Sequence, residues 1–384
     1  MNMEGRADVY VRGPDGLYEY RHVLFSPIRQ EGANFGWRCG ITPSHQLIIS
    51  ARFFDVGPAE DVGAVWHYSF DDEARLYTLT DRVEPSGLGA DWIFGYDIDV
   101  GGEIFAISAP RSGFDGGVVF LYTADGGTLV FIEKISDNVA RSFGNQVAID
   151  GNHLLVSDPG DDDAGVDYGC VYVYTRHQGT GSYEVIPRTK TVPPTTECSV
   201  HGYEGCDYGG NNANSLVFRH GVAVVGAHQA HHVSWNTNIA EGRAFVYHIN
   251  TSSNALELVQ ILNDGDPTTL YRFGKACDTN GLIVACSNDD QAFIFVDSDC
   301  PSTVDSIDDD GDGVVCGDCN DFYPTVFPGA NETCDGLDND CNEQTFDGFH
   351  ETGEPCDGPD LDLCAGACTS VPMRFSSVRT CPEQ

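Results

Sequence analysis

Along the first 299 residues the apolar and polar positions follow a repeating phrase. Dense apolar runs recur as LIISAR, IFAISAP, HLLVSDP, GVAVVGAH and GLIVACS. An aromatic–glycine pair precedes each of them: Phe35-Gly36, Phe94-Gly95, Phe143-Gly144, Tyr208-Gly209 and Phe273-Gly274, spaced by 59, 49, 65 and 65 residues. After each run comes a glycine-bounded stretch (VGAVWHY, GGVVFLY, GCVYVY, GRAFVYH, and QAFIFV in the last unit), and then a more amphipathic one such as GSYEVIPRTK. Short runs of β-branched and aromatic residues between Gly/Asn/Asp turns, such as Asp150-Gly151-Asn152 and Asn280-Gly281, predict strands and tight hairpins. A run apolar on both faces predicts a strand covered on both sides.

Four short strands per unit, one of them covered on both faces, predict an all-β fold, a β-propeller of five or six four-stranded blades over residues 1–299. The recurring aromatic is expected to wedge between blades, with its glycine allowing close backbone approach. Units one to four are complete, and the fifth shows three strands. Two orphan strands at the start, ADVYVR and LYEYRHVLF, have the pattern of a third and fourth strand. A closed ring has no exposed sheet edge, so these are expected to pair with the last repeat, residues 273–298. The insertion at 176–208, with Cys198 and Cys206, is expected to be a long loop pinned by a local disulfide.

The FG pairs, the phrases Ser108-Ala109-Pro110 and Ser157-Asp158-Pro159, and the GxVYVY strand resemble FG-GAP repeats of the integrin-α-like propellers, over roughly residues 7–298. Repeats of that kind carry a DxDxDG calcium loop between their first two strands. Here that turn is a bare DGN or TNG, so the resemblance brings no calcium site into the blades. The acids Asp161, Asp162, Asp163 and Asp167 fall later and are expected to be a solvated loop.

Residues 300–384 differ in kind. They hold 19 acids, 2 bases and nine of the fifteen cysteines. Asp308, Asp310 and Asp312 alternate ahead of Gly313, and Asp318 and Asp321 follow; alternate carboxylates before a turn glycine suit a hard cation such as Ca²⁺. The phrase recurs as Asp335, Asp338, Asp340 and Asn342. The twelfth loop position is Cys319 rather than Glu, which excludes an EF-hand. The elements DDDGDG, GDCND and PGANETCDGLDNDCNE resemble the metal-binding motif of MopE-type secreted proteins, with Asn320, Asn342 and Glu343 departing from its pattern. The expectation is a structural Ca²⁺ at Asp308, Asp310, Asp312 and Asp321 with a carbonyl near Val314. A second ion is expected at Asp335, Asp338, Asp340 and Asn342, both within a disulfide-stapled module over 300–384.

The formal net charge of −39 argues against nucleic acid or an anionic membrane as partner, because both require a basic footprint. No apolar run is long enough to insert in a membrane. Cysteine density points to an oxidising, extracellular or cell-surface setting. No leader pattern precedes the first strand, so the chain is expected to begin inside a longer sequence. The odd cysteine count leaves at least one thiol unpaired, and Cys39 and Cys170, each on a predicted strand, are the expected candidates. Oligomeric state is not legible.

No GxSxG, HExxH, P-loop or dinucleotide fingerprint is present. His228, His231 and His232 are expected to be ordinary loop histidines. The expectation is a secreted, non-enzymatic adhesion protein that contacts extracellular protein or glycan, with the acidic module as stalk or adaptor. The alternatives are an extracellular hydrolase or lyase working at the propeller mouth, and a metal-sequestering protein. An enzyme should gather charged or histidine side chains at the central channel, and an adhesin should show aromatic and polar loops there.

Overall fold

The structure is a computed structural model. It describes residues 5–296, apart from 14–15, 111–115, 126, 137–141, 163–168, 178, 184–187, 193–215, 229, 231–241, 251–252, 264–272 and 282. The chain divides into one compact unit of residues 1–279 and 283–295 and a second of 280–282 and 296–384.

The first unit is antiparallel β throughout its described residues. A two-stranded sheet, β1 (Arg6–Arg12) and β2 (Tyr18–Phe25), opens the chain. Four four-stranded sheets follow in chain order. They are β3 (Phe35–Ile41) to β6, with β4 (Gln46–Ala51), β5 (Ala64–Asp71) and β6 (Leu76–Val83); then β7 (Ile98–Gly101), β8 (Ile104–Ala109), β9 (Val118–Asp125) and β10 (Thr128–Ser136). The third comprises β11 (Val147–Asp150), β12 (His153–Asp158), β13 (Cys170–Thr175) and β14 (Thr189–Thr191). The fourth comprises β15 (Leu216–Arg219), β16 (Val222–Ala227), β17 (Arg243–Asn250) and β18 (Ala255–Leu262). A three-stranded sheet, β19 (Ala276–Thr279), β20 (Ile283–Ser287) and β21 (Ala292–Val296), ends the array. The architecture is propeller-like, with the first strand of each sheet packed against the first strand of the next.

The aromatic–glycine pair does the expected work. Phe35, Phe94, Phe143 and Phe273 are all buried, each in the apolar layer between consecutive sheets. Gly36, Gly95, Gly144 and Gly274 all have φ between 82° and 85°, a backbone that side-chain-bearing residues rarely adopt. A second glycine, just before the third strand, meets the aromatic of the next unit: a Cβ on Gly63 would sit 2.1 Å from the Phe94 carbonyl oxygen. Tyr208 and Gly209 lie outside the described residues.

One expectation is corrected. Among the described residues β1 and β2 pair with each other and do not join the last repeat, which shows three strands of its own. The reason lies in β1's place: a parallel bridge links Gly5 to Phe35, matching the one from Gly242, ahead of β17, to Phe273. β1 therefore stands as the third strand of a sheet preceding β3–β6, a position that β21 already fills in the last sheet. Among the described residues the free thiols are Cys39 and Cys170, the two expected candidates. Cys277–Cys286, directly opposite across β19 and β20, is the disulfide among the described residues, and the Cys198–Cys206 expectation lies outside them.

Candidate functional site

The first strands of the sheets surround a cavity of about 490 Å³, lined by Arg38 and Cys39 on β3, Asp99 on β7, Val147 on β11, Arg219 on β15 and Asp278 on β19, with Asp97 just ahead of β7. Asp97 and Asp99 are two residues apart in extended chain, so they project to the same side. Each carboxylate ties three elements together. Arg38 donates its Nε–H to Asp97 Oδ1 at 2.8 Å, and the Val147 amide donates to Asp97 Oδ2 at 3.0 Å. Arg219 closes two bonds on Asp99, Nη2 to Oδ1 at 2.7 Å and Nη1 to Oδ2 at 2.9 Å, while the Ile149 amide donates to Oδ2 at 2.7 Å. Inner strands of four successive sheets, β3, β7, β11 and β15, are thus bound through two carboxylates that face the channel.

The electrostatics separate the two acids. Burial raises the Asp97 carboxyl above its ordinary value even though Arg38 and the Val147 amide work in the opposite direction. Hydrogen bonding to Asp99 raises the Arg219 guanidinium further and fixes it as a cation. Near Arg38, Arg52 lies 3.4 Å from the Trp37 ring centroid, and Trp37 donates its indole N–H to the Tyr96 carbonyl at 2.7 Å. Desolvation lowers Arg52. A buried carboxyl with raised proton affinity, beside a guanidinium that has further N–H donors, can take a proton from water and polarise an oxygen of a substrate.

Sequence reasoning did not identify these four residues. Arg38, Asp97, Asp99 and Arg219 belong to no recurring phrase, and nothing in a single strand shows which side chains meet across a ring. The residues expected to bind metal (Asp308, Asp310, Asp312, Val314, Asp318, Asp321, Asp335, Asp338, Asp340 and Asn342) lie outside the described residues. So do His231 and His232, whereas His228 is buried. Of the acids expected in a solvated loop, Asp162 is exposed, Asp163 and Asp167 lie outside the described residues, and Asp161 departs from the expectation: it pairs with Lys190 at 2.6 Å and lies with Asp158 and Cys170 in a cluster whose ligand atoms fall within 4.8 Å.

Comparison with known proteins adds the following. Residues 137–174 match the FG-GAP repeat family, and residues 318–345 match the Cu-binding MopE family, described as a "putative metal-binding motif". No curated protein sequence matches the chain. A protein from Lactobacillus plantarum is similar in structure at 15% identity and TM-score 0.39, over 67% of this chain and 65% of that one. A Bacteroides fragilis chain named "putative 6-phosphogluconolactonase" is similar at 14% identity and TM-score 0.44, over 72% and 71%. The periplasmic gluconolactonase of Pseudomonas aeruginosa is similar at 16% identity and TM-score 0.35, over 75% and 87%.

The expectation of a non-enzymatic adhesion protein is corrected here. The channel of this chain gathers paired carboxylates and guanidinium groups, Arg38 with Asp97 and Arg219 with Asp99, the arrangement expected of the enzyme alternative.

Proposed function

We propose that this chain is a hydrolase whose site is the channel between the first strands, acting on a small oxygen-rich substrate. The supporting observation is the convergence of Arg38–Asp97 and Arg219–Asp99 in one cavity. In this reading Asp97 is the general base, because burial raises its proton affinity toward the range useful near neutral pH. Arg38 holds the substrate oxygen on which charge develops, and Arg219, fixed by Asp99, binds the substrate's polar rim. The setting is an oxidising, extracellular compartment, supported by the cysteine density.

Sugar lactones, the class named for the neighbours, are the first compounds to assay, by following acid release in a pH-stat. Asp97→Asn should lower kcat by about a hundredfold or more, with little change in KM. No hydrolysis above the buffer rate across five- and six-membered lactones and simple esters would end the hydrolase reading. An Asp97→Asn variant of full activity would end the assignment of the base.

We propose that the metal of the acidic motif is Ca²⁺, held by Asp308, Asp310, Asp312 and Asp321 and more weakly by Asp335, Asp338, Asp340 and Asn342. The all-oxygen donor set supports this choice, since copper sites favour nitrogen and sulfur. We further propose that the sheets form a six-bladed ring, in which β1–β2 and β19–β21 belong to separate, incomplete blades.

A further inference from the structure

A half-buried cation beside the channel lacks a counter-charge. Arg52 follows β4 directly, and its guanidinium lies against three rings. Its Cζ is 3.4 Å from the Trp37 ring centroid, 4.4 Å from that of Phe53 and 5.5 Å from that of Tyr96. Its Nε–H is buried and meets no acceptor, and among the described residues no carboxylate bonds to the group. The chain has 59 acids to 20 bases, so a cation without a carboxylate is not a matter of supply. Desolvation lowers the hold of Arg52 on its proton; Tyr96 opposes that effect and the charge of Arg38 adds to it. Rings stacked on the faces of a guanidinium leave its in-plane N–H edge for an anion.

The repeat itself does not require this group. The residue one past the second strand is Pro110 in the second unit, Pro159 in the third, His228 in the fourth and Asn288 in the fifth. The first unit places arginine there, and combines it with Trp37 and Arg38 where the third unit has Asn145 and Gln146. Trp37 and Tyr96 adjoin Arg38 and Asp97, the ion pair that lines the cavity, and the Trp37 indole N–H bonded to the Tyr96 carbonyl ties the two turns together. Arg38 Cζ lies 5.5 Å from the same indole centroid, so both guanidinium groups share one ring at the edge of the cavity. We infer that Arg52, with Arg38 beside it, is the anion-recognition end of the channel site, and that the molecule bound there carries a carboxylate or phosphate group. The narrowing of the substrate class, to an oxygen-rich compound with one acidic substituent, rests on the hydrolase reading. Arg52 is a specificity-determining residue: its open edge holds the acidic substituent while Arg38 and Asp97 face the reacting oxygen. A bound anion also offsets the repulsion between two cations on one indole.

Binding and turnover are measured separately on the full chain. Isothermal titration calorimetry compares a hexose phosphate, a hexuronate and the neutral hexose at equal ionic strength. At least one acidic sugar should bind about tenfold or more tighter than the neutral one, and the tighter of the two names the anion. Arg52→Gln should abolish that preference, and Arg52→Lys, which keeps the charge without the planar fork, should restore part of it. Arg21→Gln removes one positive charge from an exposed ion pair with Glu19 and should leave the preference intact. Circular dichroism checks that each variant folds. In turnover, the kcat/KM ratio of an acidic to a neutral lactone should fall about tenfold in Arg52→Gln, through KM. Equal binding of all three sugars, an undiminished preference in Arg52→Gln, or an equal loss in Arg21→Gln overturns the inference. Acid-selective binding without hydrolysis of any lactone supports the anion site and ends the hydrolase reading alone. Hydrolysis without acid selectivity ends the anion site alone.

Discussion

Arg219 reaches Asp99 across 120 residues of sequence and grips both carboxylate oxygens, at 2.7 and 2.9 Å. The pair spans the channel from β15 to β7, with β11 joined to the same carboxylate through the Ile149 amide. Three sheets therefore share one ion pair, and its loss should be felt as loosened contact between them.

Arg219→Ala leaves Asp99 with one amide and no counter-charge in a partly buried channel. The expected cost is about 1–3 kcal/mol in urea denaturation, on the scale of a charge-assisted hydrogen bond that is only part-shielded from water. Arg219→Lys restores charge without the two-point grip and should recover less than the full loss. A double variant, Arg219→Ala with Asp99→Ala, should cost less than the sum of the singles. Strict additivity would show that the pair contributes nothing to stability.

The aromatic–glycine layer makes a stronger prediction. Phe94→Ala should cost about 3–5 kcal/mol, the usual range for emptying a buried phenylalanine site. Gly63→Ala should also destabilise, because its new methyl would meet the Phe94 carbonyl at 2.1 Å and Gly63 has φ of 84°. A Gly63→Ala protein with an unchanged midpoint would remove the close-approach argument.

Burial also fixes a pH dependence. His67 is fully buried, with Nδ1 2.8 Å from Thr80 Oγ1, and desolvation holds its pKa below the ordinary 6.5 despite the nearby Asp81. A depressed histidine pKa means that the unfolded chain binds the proton first. Its stabilising contribution is complete above pH 6.5 and is lost as pH falls from there toward the folded value. Each unit of depression removes about 1.4 kcal/mol. His67→Gln should flatten this acid limb in denaturation midpoints measured from pH 7.5 to 4.5 (roughly three units of titration). An identical limb in the variant would assign it to other groups, His153 being the next to examine.

Much of the fold was legible because its determinants are local and repeat. A glycine after Phe35, Phe94 or Phe143 announces a left-handed turn into an inner strand, and HLLVSD announces a strand covered on both faces whichever unit it sits in. The three-strand last unit was legible for the same reason, while Cys39 and Cys170 were singled out by the odd cysteine count and their places on predicted strands. Ring closure was not. The ADVYVR pattern shows that β1 is a third strand, but its bridge partner is set by Gly5 meeting Phe35, a contact that no periodicity encodes. The candidate site was invisible for a related reason: Asp97 and Asp99 look like turn and strand acids in YDIDVG, and only the ring brings Arg38 and Arg219 to them. Cys277–Cys286 was not legible either: Cys277 stands three residues before Asn280 and Cys286 five after Gly281, and only the register of β19 on β20 sets them opposite one another.

The acidic motif offers the last prediction. Residues 305–348 hold few large apolar side chains, so burial cannot offset an ordering cost of about 1–2 kcal/mol per residue. If Ca²⁺ supplies the difference, as proposed, binding free energy becomes folding free energy for this segment. The full oxidised chain, stripped with EGTA, should be cleaved within 305–348 by a non-specific protease at low enzyme ratio. Calcium at about a hundredfold excess over its dissociation constant should add about 2.7 kcal/mol and slow that cleavage by about two orders of magnitude. Asp310→Ala should abolish most of the protection by removing a central ligand of the first loop. Asp340→Ala should remove less, because Glu343 stands near the turn of the second loop where the related motif carries glycine. Equal cleavage with calcium and with EGTA would dismiss calcium as a structural element. Protection by copper but not by calcium would move the assignment to the metal named in the matching family, with the cysteines rather than the aspartates as the ligands to mutate next.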